Sequence, residues 1–252
     1  MVHIQAWELL EKLQSFSYPA ITQNLGALIS ISAKDVKVEI SKLKLTDIGC
    51  GSGNLVSGAL DIIGKIYCYN GVDIDQSGLN IIRQRGINSY HMNLFKKDAI
   101  KMNFDADIYI CLSNTFLAIG DWKDLDNLLL RMFENNKKAV LILSLVPWDD
   151  IRKKWHENYT EWVRWYYKND KMKMRSKELE DNLKVYQTLE IENSDEIYTF
   201  KHEFMKTTFE SFRSFIEKRG LIISDWLNPH TLETIDTQTF ELPEVWVTVT
   251  NI

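Results

Sequence analysis

Short apolar runs alternate with amphipathic segments through the first 150 residues of the chain. Five mainly apolar runs predict β-strands, at residues 43–48, 66–74, 88–92, 106–112 and 139–146. Apolar residues recur at helical spacing between them, which predicts helices at residues 54–63, 77–85 and 121–134. Apolar strands separated by amphipathic helices indicate parallel strands with both faces covered.

The pattern changes after Pro147. Aromatic residues at steps of four, three and four predict one face of a helix: Trp155, Tyr159, Trp162 and Tyr166. Two runs of alternating residues follow, and each predicts a strand. One face of the first strand carries Leu183, Val185, Leu189 and Ile191, and one face of the second carries Tyr198, Phe200, His202 and Phe204. The turn residues 193–195 lie between them, so the two runs predict an antiparallel hairpin.

The remaining residues return to the first pattern. Thr207 with Glu210 fits a capping box for a helix that ends at Gly220, and residues 221–226 and 245–249 predict the last strands. We expect an α/β fold, a Rossmann-like, seven-stranded, mostly parallel sheet with helices on both faces and a hairpin insertion after the fifth strand. The expected parts are an N-terminal helical cap (1–42), a core (43–148), a substrate lid (149–206) and a completion of the core sheet (207–252).

Composition narrows the classes of function. The 252 residues are 45% hydrophobic and 26% charged, and their net charge is −5, whereas a chain held to nucleic acid by its overall field would be basic. The three cysteines are an odd number without CxxC spacing, which favours reduced thiols, and the five histidines show no metal spacing. Charged residues interrupt the N-terminal segment, and no apolar run approaches the length of a membrane helix. We therefore expect a cytoplasmic protein with no membrane partner and no metal.

A glycine-rich turn stands between the first predicted strand and the helix after it. The segment is Leu45-Thr46-Asp47-Ile48-Gly49-Cys50-Gly51-Ser52-Gly53-Asn54. Glycines let the backbone turn sharply and let a ligand approach the main chain, and the start of the helix offers unpaired N–H groups. A dinucleotide fingerprint would need a glycine at position 54 or 56, where asparagine and valine stand.

An acidic residue follows on the second strand. Gly71-Val72-Asp73-Ile74-Asp75 comes about twenty residues after the turn, and a carboxylate at that strand end can accept hydrogen bonds from both hydroxyls of a ribose. The segments DIGCGSGN and GVDID resemble the first two motifs of class I S-adenosylmethionine-dependent methyltransferases. The resemblance covers residues 43–146 and the last two strands.

The resemblance implies roles for single residues. Gly49 and Gly51 would pass close to the methionine part of the cofactor, and Asp47 would reach its amino group. Asp73 would hold the ribose hydroxyls, and Ile74 would pack on the adenine. The predicted cofactor-binding residues are Asp47, Gly49, Cys50, Gly51, Gly53, Asp73, Ile74, Asn93, Leu94, Leu112 and Ser113.

Two of these positions depart from the usual pattern or are ambiguous. Where the family often has an acidic residue after the third strand, this chain has His91-Met92-Asn93-Leu94, and the Asn93 amide oxygen could replace it. The segment 112–116 is similar to a loop of small-molecule N-methyltransferases such as the glycine and sarcosine enzymes. A plain helix N-cap by Ser113 or Asn114 explains it equally well.

Methyl transfer needs no catalytic triad, because the cofactor supplies the reactivity and the protein aligns donor and acceptor. His202 is the best candidate for a base, although a histidine on a half-exposed aromatic face without chemistry is the simpler interpretation. The basic aromatic segment 152–177 would suit an anionic or nucleic-acid substrate, but its helical spacing favours a packed amphipathic helix. Tyr18 could close over the cofactor, although simple packing explains it more readily.

The sequence therefore predicts an S-adenosylmethionine-dependent methyltransferase that acts on a nitrogen or oxygen of a small molecule. One alternative is an RNA or protein methyltransferase that uses the segment 152–177. The other is a partner-binding relative without activity. The intact glycines and Asp73 count against the second alternative, since a protein that binds no cofactor has no physical need for this turn.

Overall fold

The computed structural model describes residues 18–103, 105–150, 161–166, 172–180, 183–192, 197–237 and 244–251. The helices in this part of the chain are α1 (Tyr18–Asp35), α2 (Asn54–Ile63), α3 (Gln76–Arg85), α4 (Thr115–Ala118), α5 (Trp122–Asn135) and α6 (Phe209–Glu217). The first five strands are β1 (Lys44–Ile48), β2 (Ile66–Asp73), β3 (Ser89–Lys96), β4 (Ile108–Cys111) and β5 (Val140–Leu145). The other strands are β6 (Glu161–Tyr166), β7 (Met172–Glu180), β8 (Lys184–Glu192), β9 (Ile197–Met205), β10 (Leu221–Leu227) and β11 (Val245–Asn251).

Seven strands form the main sheet, in the order β3-β2-β1-β4-β5-β11-β10. The strands β1 to β5 are parallel to one another, and β11 is antiparallel to both of its neighbours. This confirms the expected Rossmann-like sheet with helices on both faces. Because parallel strands end at one edge, the turns after β1, β2, β4 and β5 lie together at the carboxyl edge of the sheet.

Each face of the main sheet is covered by its own hydrophobic core. Helices α1, α2 and α3 contribute apolar side chains to the core on one face, where Leu25, Leu60 and Ile82 are fully buried. Helices α4, α5 and α6 do the same on the other face, where Phe116, Leu128 and Phe212 are fully buried. The central strands β4 and β5 lie between the two cores, and every residue of both is buried.

The insertion after β5 is a second sheet of four antiparallel strands, in the order β6-β7-β8-β9. The prediction of a hairpin is right for β8 and β9, but the insertion is larger than a hairpin. The predicted aromatic helix is wrong for residues 161–166, which form β6 and pair with β7. Six residues rich in aromatic and β-branched side chains suit a strand as well as a helix face, and pairing with β7 decides between them.

The second sheet joins the core of the main sheet at one end. Val185 and Phe204 pair across β8 and β9, and both are buried in the core that α4, α5 and α6 cover. The Phe204 ring contacts the ring of Trp148 edge to face, with the ring centres 6.0 Å apart. The insertion is therefore anchored just after β5, near the carboxyl edge of the main sheet.

Two boundaries differ from those expected. The capping box of α6 lies one residue later, because the Thr208 side chain accepts from the Ser211 backbone N–H and Ser211 reciprocates. Strand β3 continues to Lys96, four residues past its predicted end. Among the described residues, no helix is both long and apolar enough to cross a membrane.

Candidate active site

The turn after β1 is held in a conformation that suits only glycine. Gly49, Gly51 and Gly53 all have left-handed backbones, with φ of 65°, 52° and 69°. A Cβ on Gly49 would stand 2.2 Å from the Thr115 side chain, and one on Gly53 would stand 2.8 Å from Ile82. The backbone N–H groups of Gly49 and Cys50 both donate to the Val72 carbonyl, which ties the turn to the end of β2.

Asp73, the last residue of β2, is bonded directly to this turn. Its Oδ2 accepts from the Gly51 N–H at 2.7 Å, and its Oδ1 accepts from the Asp75 N–H at 2.8 Å. A carboxylate has about four acceptor positions, so both oxygens keep capacity for further donors. Desolvation raises the pKa of this half-buried carboxyl, and the two backbone hydrogen bonds oppose that shift.

Helix α3 packs against the glycine turn at its first residues. A Cβ on Gly78 would lie 2.5 Å from the Gly51 carbonyl oxygen, so only a glycine allows this approach. Asp75 begins the helix as its N-cap, and its side chain accepts from the Ser77 N–H at 2.9 Å. The turn after β1 and the turn after β2 are thus fixed against each other.

Asp47 lies under the turn and is almost completely buried. Its Oδ2 accepts a hydrogen bond of 2.9 Å from the Tyr69 hydroxyl. Desolvation raises its pKa to about 7, although the Tyr69 hydrogen bond acts in the opposite direction. A positive group brought to this carboxylate would lower its pKa again.

Cys50 and Ile74, two more of the predicted cofactor-binding residues, differ in their exposure. Cys50 is buried, and burial raises the pKa of its thiol well above the usual value, so the thiol stays protonated. Ile74 follows Asp73 and is 75% exposed, which leaves an apolar surface next to a carboxylate at the sheet edge.

The residues predicted after the third strand lie inside it. Asn93 and Leu94 are residues of β3, and the Asn93 amide donates to the Asn70 side chain at 3.0 Å. The position expected for them after the strand is therefore wrong. Asp98 comes after β3, and its neighbour Lys97 donates its backbone N–H to the Asp73 carbonyl at 3.0 Å. An edge strand tolerates polar residues, which is why Asn93 does not end it.

The turn after β4 contains two strained residues. Leu112 is buried and Ser113 is exposed. Ser113 and Asn114 both have positive φ, of 55° and 57°, although neither is a glycine. Asn114 is the N-cap residue of α4, one of the two positions predicted for a cap, but its side chain makes no capping hydrogen bond.

A group that sequence reasoning missed faces this turn from β5 and β11. The Asn114 N–H donates to the Ser144 hydroxyl oxygen at 2.7 Å, and the Ser144 hydroxyl is bonded to the Glu244 carboxylate. Burial raises the pKa of Glu244, and the Ser144 hydrogen bond opposes that shift. Glu244 has no motif around it, so only the pairing of β5 with β11 reveals its position.

The structure places the predicted base on the second sheet. His202 lies on β9 opposite Gln187, and its side chain is exposed. Partial desolvation lowers its pKa, which keeps the imidazole neutral near pH 7. The side chain of Tyr18 lies outside the described residues. Within the described part of the chain, no group of His, Cys, Asp and Glu could hold a metal ion.

The carboxyl edge of the main sheet thus brings most of the predicted cofactor-binding residues together. These are Asp47, Gly49, Cys50, Gly51, Gly53, Asp73, Ile74, Leu112 and Ser113. Asn93 and Leu94 lie further back along β3.

Comparisons with protein-family profiles and with curated protein sequences find no match. Solved structures do match. An S-adenosylmethionine-dependent methyltransferase from Clostridium acetobutylicum has a TM-score of 0.72 at 16% identity, with 97% of this chain and 96% of that chain covered. The CcbJ methyltransferase from Streptomyces caelestis has a TM-score of 0.71 at 8% identity, with 91% and 89% covered.

A third similar structure is the sugar N-methyltransferase KedS8 from Streptoalloteichus. It has a TM-score of 0.64 at 11% identity, and the match covers 100% of this chain and 94% of that chain. At sequence identities this low, the matches establish a shared architecture and nothing further. The chain therefore has the fold of the class I S-adenosylmethionine-dependent methyltransferases.

Proposed function

We propose that this protein binds S-adenosylmethionine and transfers its methyl group to a nitrogen or oxygen of a small molecule. The observation that carries the proposal is the junction of the glycine turn with Asp73. Three left-handed glycines face a carboxylate that is already bonded to the Gly51 N–H and still has acceptor capacity. This arrangement lies at the carboxyl edge of the sheet, where ligands of such folds bind.

The residues present fit the parts of this cofactor. The Asp73 carboxylate would accept from the ribose hydroxyls, and exposed Ile74 would cover the adenine ring. Asp98 would accept a hydrogen bond from the adenine amino group in place of Asn93. It follows Lys97, whose backbone N–H donates to the Asp73 carbonyl. Asp47 would pair with the cofactor ammonium, which its burial makes a strong interaction.

When bound, the cofactor supplies a sulfonium methyl group that a nucleophile can displace in line. The protein has to hold the acceptor in that line and to exclude water. The anchored second sheet, which begins after β5, is the part of the chain we assign to the acceptor side. The residue that we assign to a base on this sheet is His202, whose imidazole is neutral near pH 7.

The net charge of the chain and one of the similar structures favour a small molecule as the methyl acceptor. The chain is acidic, with a net charge of −5, and a nucleic-acid substrate would call for a basic surface. One similar structure is described as a sugar N-methyltransferase. The basic segment 152–177 remains the basis of the alternative RNA substrate, and its side chains lie outside the described residues.

The test is calorimetry of the purified protein with S-adenosylhomocysteine, S-adenosylmethionine and NADH. We expect both adenosyl compounds to bind and NADH to give no response. Mass spectrometry of ligands that co-purify with the protein then identifies the acceptor. Binding of NADH without any response to S-adenosylhomocysteine would overturn the proposal.

The turn offers a matched control for this experiment. Gly49→Ala should lose cofactor affinity, because φ is 65° and Thr115 occupies the space of a Cβ. Gly120→Ala also introduces a methyl group against a side chain, that of Asp124, but at the start of α5 away from the turn. Equal losses in both variants would point to general destabilisation.

A further inference from the structure

Glu244 lies at the carboxyl edge of the sheet although no motif marks it. It comes directly before β11, and β11 runs antiparallel to β5, with Val245 opposite Leu145. The start of β11 therefore lies beside the end of β5, at the edge where the glycine turn lies. Glu244 is partly buried there.

The carboxylate is connected to the turn after β4 by a chain of hydrogen bonds. The Ser144 hydroxyl is fully buried, donates to Glu244 and accepts from the Asn114 N–H. The Asn114 Oδ1 accepts from the Val146 N–H at 3.2 Å, which joins the same turn to the end of β5. Glu244 is thus bonded to Ser144 of β5, and Ser144 is itself bonded to the turn after β4.

The turn that Glu244 faces carries features that stability alone does not favour. Ser113 and Asn114 are consecutive residues with left-handed backbones, which non-glycine residues adopt at a cost in free energy. Asn114 is nine-tenths buried, and its Nδ2 has no hydrogen-bond partner in the described part of the chain. Strain and an unsatisfied donor in one turn are typical of a binding or catalytic site.

The same turn touches the cofactor side of the site. Thr115 follows Asn114, and its side chain fills the space next to Gly49. A short path of contacts therefore runs from the glycine turn through residues 114 and 115 to Ser144 and Glu244. A group bound at Glu244 would lie beside the end of β4, where a methyl acceptor has to approach.

We propose that Glu244 binds the nitrogen of the methyl acceptor, and that the acceptor is therefore an amine. This proposal rests on the proposed function and narrows it from nitrogen or oxygen to nitrogen. In the transfer, the Glu244 carboxylate takes one proton from the bound ammonium group, and the lone pair that this frees forms the new C–N bond. The electron pair of the broken C–S bond stays on sulfur.

The chemistry of a carboxylate distinguishes an amine from a hydroxyl acceptor. A carboxylate pairs with an ammonium group and orients it, and the pKa of an ammonium such as that of lysine is about 10.4. The pKa of an aliphatic alcohol is far higher, so a carboxylate is a poor base for it. Burial, which raises the pKa of Glu244, makes it a better proton acceptor.

The experiment needs no knowledge of the natural acceptor. Two analogues of S-adenosylhomocysteine are compared, in which nitrogen replaces sulfur and carries either a 2-aminoethyl or a 2-hydroxyethyl arm toward the acceptor side. We expect the wild-type protein to bind the aminoethyl compound at least tenfold more tightly. In Glu244→Gln this preference should fall to about twofold, while the affinity for S-adenosylhomocysteine stays the same.

The controls separate this proposal from the proposed function. Glu210→Gln, an exposed position on α6, should keep the full preference. Equal binding of the two analogues by the wild-type protein, or a preference that survives in Glu244→Gln, overturns the role of Glu244. Should Glu244→Gln fail to fold, the wild-type comparison and Glu244→Asp decide. Failure of S-adenosylhomocysteine itself to bind overturns the proposed function instead.

Discussion

Asp47 and Asp73 lie on neighbouring strands, yet their carboxylates are surrounded differently. Asp73 is half-buried and accepts from two backbone N–H groups, whereas Asp47 is buried with the Tyr69 hydroxyl as its partner. The first is prepared to accept hydrogen bonds from a ligand. The second is a buried carboxyl group with a raised pKa, and a cation would stabilise its charged form.

Asp73→Ala should lower the affinity for S-adenosylhomocysteine at least tenfold. The variant loses the proposed acceptors for the ribose hydroxyls and also the hydrogen bond to the Gly51 N–H, and tenfold corresponds to about 1.4 kcal/mol. Calorimetry measures the change. Asp61→Ala, which alters an exposed position of α2, is the matched control and should bind like the wild type.

Asp47→Asn should change how stability depends on pH. The folded-state pKa of Asp47 is raised from 3.8 to about 7, so the folded protein keeps a proton that the unfolded chain has lost. Asp47 therefore makes the wild type less stable as pH rises from about 4 to about 7, by on the order of 4 kcal/mol. The melting temperature of Asp47→Asn relative to the wild type should rise across that window.

The control for this measurement is Asp61→Asn, an exposed aspartate whose replacement should leave the pH profile unchanged. A constant difference in melting temperature between Asp47→Asn and the wild type from pH 4 to pH 8 would contradict the raised pKa.

The roles of Asp98 and Asn93 can be distinguished with two ligands that differ in their base. Asp98→Ala should weaken binding of S-adenosylhomocysteine several-fold, and it should reduce the preference over the inosine analogue, which lacks the amino group. Asn93→Ala should do neither, because its amide bonds to Asn70 within the sheet. The opposite result would restore the role that the sequence predicted for Asn93.

Helix α3 packs closely against the backbone of the glycine turn. A Cβ on Gly78 would stand 2.5 Å from one backbone atom of Gly51 and 2.6 Å from another, and backbone cannot yield as a flexible side chain does. We expect Gly78→Ala to lower the free energy of unfolding by about 1–3 kcal/mol and to weaken cofactor binding. Denaturant melts and calorimetry measure the two effects.

Gln84→Ala is the control on the same helix, because its side chain is exposed. If Gly78→Ala binds the cofactor and unfolds as the control does, the close approach of α3 has no energetic consequence.

The elements differ in how well their sequences predict them. The five parallel strands and the helices α2, α3 and α5 follow from apolar runs and helical periodicity, since each is covered by the core it helps to build. The strand at residues 161–166 does not follow from the sequence, because six residues fit both the helix period and the strand period. Pairing with β7 makes this segment a strand. The end of β3 was missed because polar residues at a sheet edge resemble a loop.

The site is predictable to the extent that it is local. The glycines, Asp47 and Asp73 lie in two short motifs, so their positions follow from the sequence. Glu244 is placed by the pairing of β11 with β5, about 100 residues apart along the chain, and no local pattern records that pairing. Asp98 was missed for a different reason, which is the wrong end assigned to β3.

In the molecule as a whole, the candidate functional residues are distributed over two sheets. The main sheet carries the glycine turn and both aspartates, and the second sheet carries His202. We expect His202→Ala to leave the affinity for S-adenosylhomocysteine within about twofold of the wild type, because none of the residues that we assign to the cofactor lies on β9. Turnover should fall, or the acceptor KM should rise, once the acceptor is known.

Lys201→Ala is the control for His202→Ala, since it changes the adjacent exposed residue on the opposite face of β9. Loss of cofactor affinity with unaltered turnover in His202→Ala would show that the second sheet belongs to the cofactor site.

The position of β11 between β5 and β10 has a consequence for how the protein is made. Strand β5 leaves the ribosome about 100 residues before β11 does, which at 5–20 residues per second is on the order of 5 to 20 s. During that interval the apolar edge of β5 has no partner and is open to pairing with other chains. The nascent chain thus has its glycine turn and Asp73 complete while Glu244 is still unmade, and Glu244 comes to lie beside Ser144 only when β11 pairs with β5.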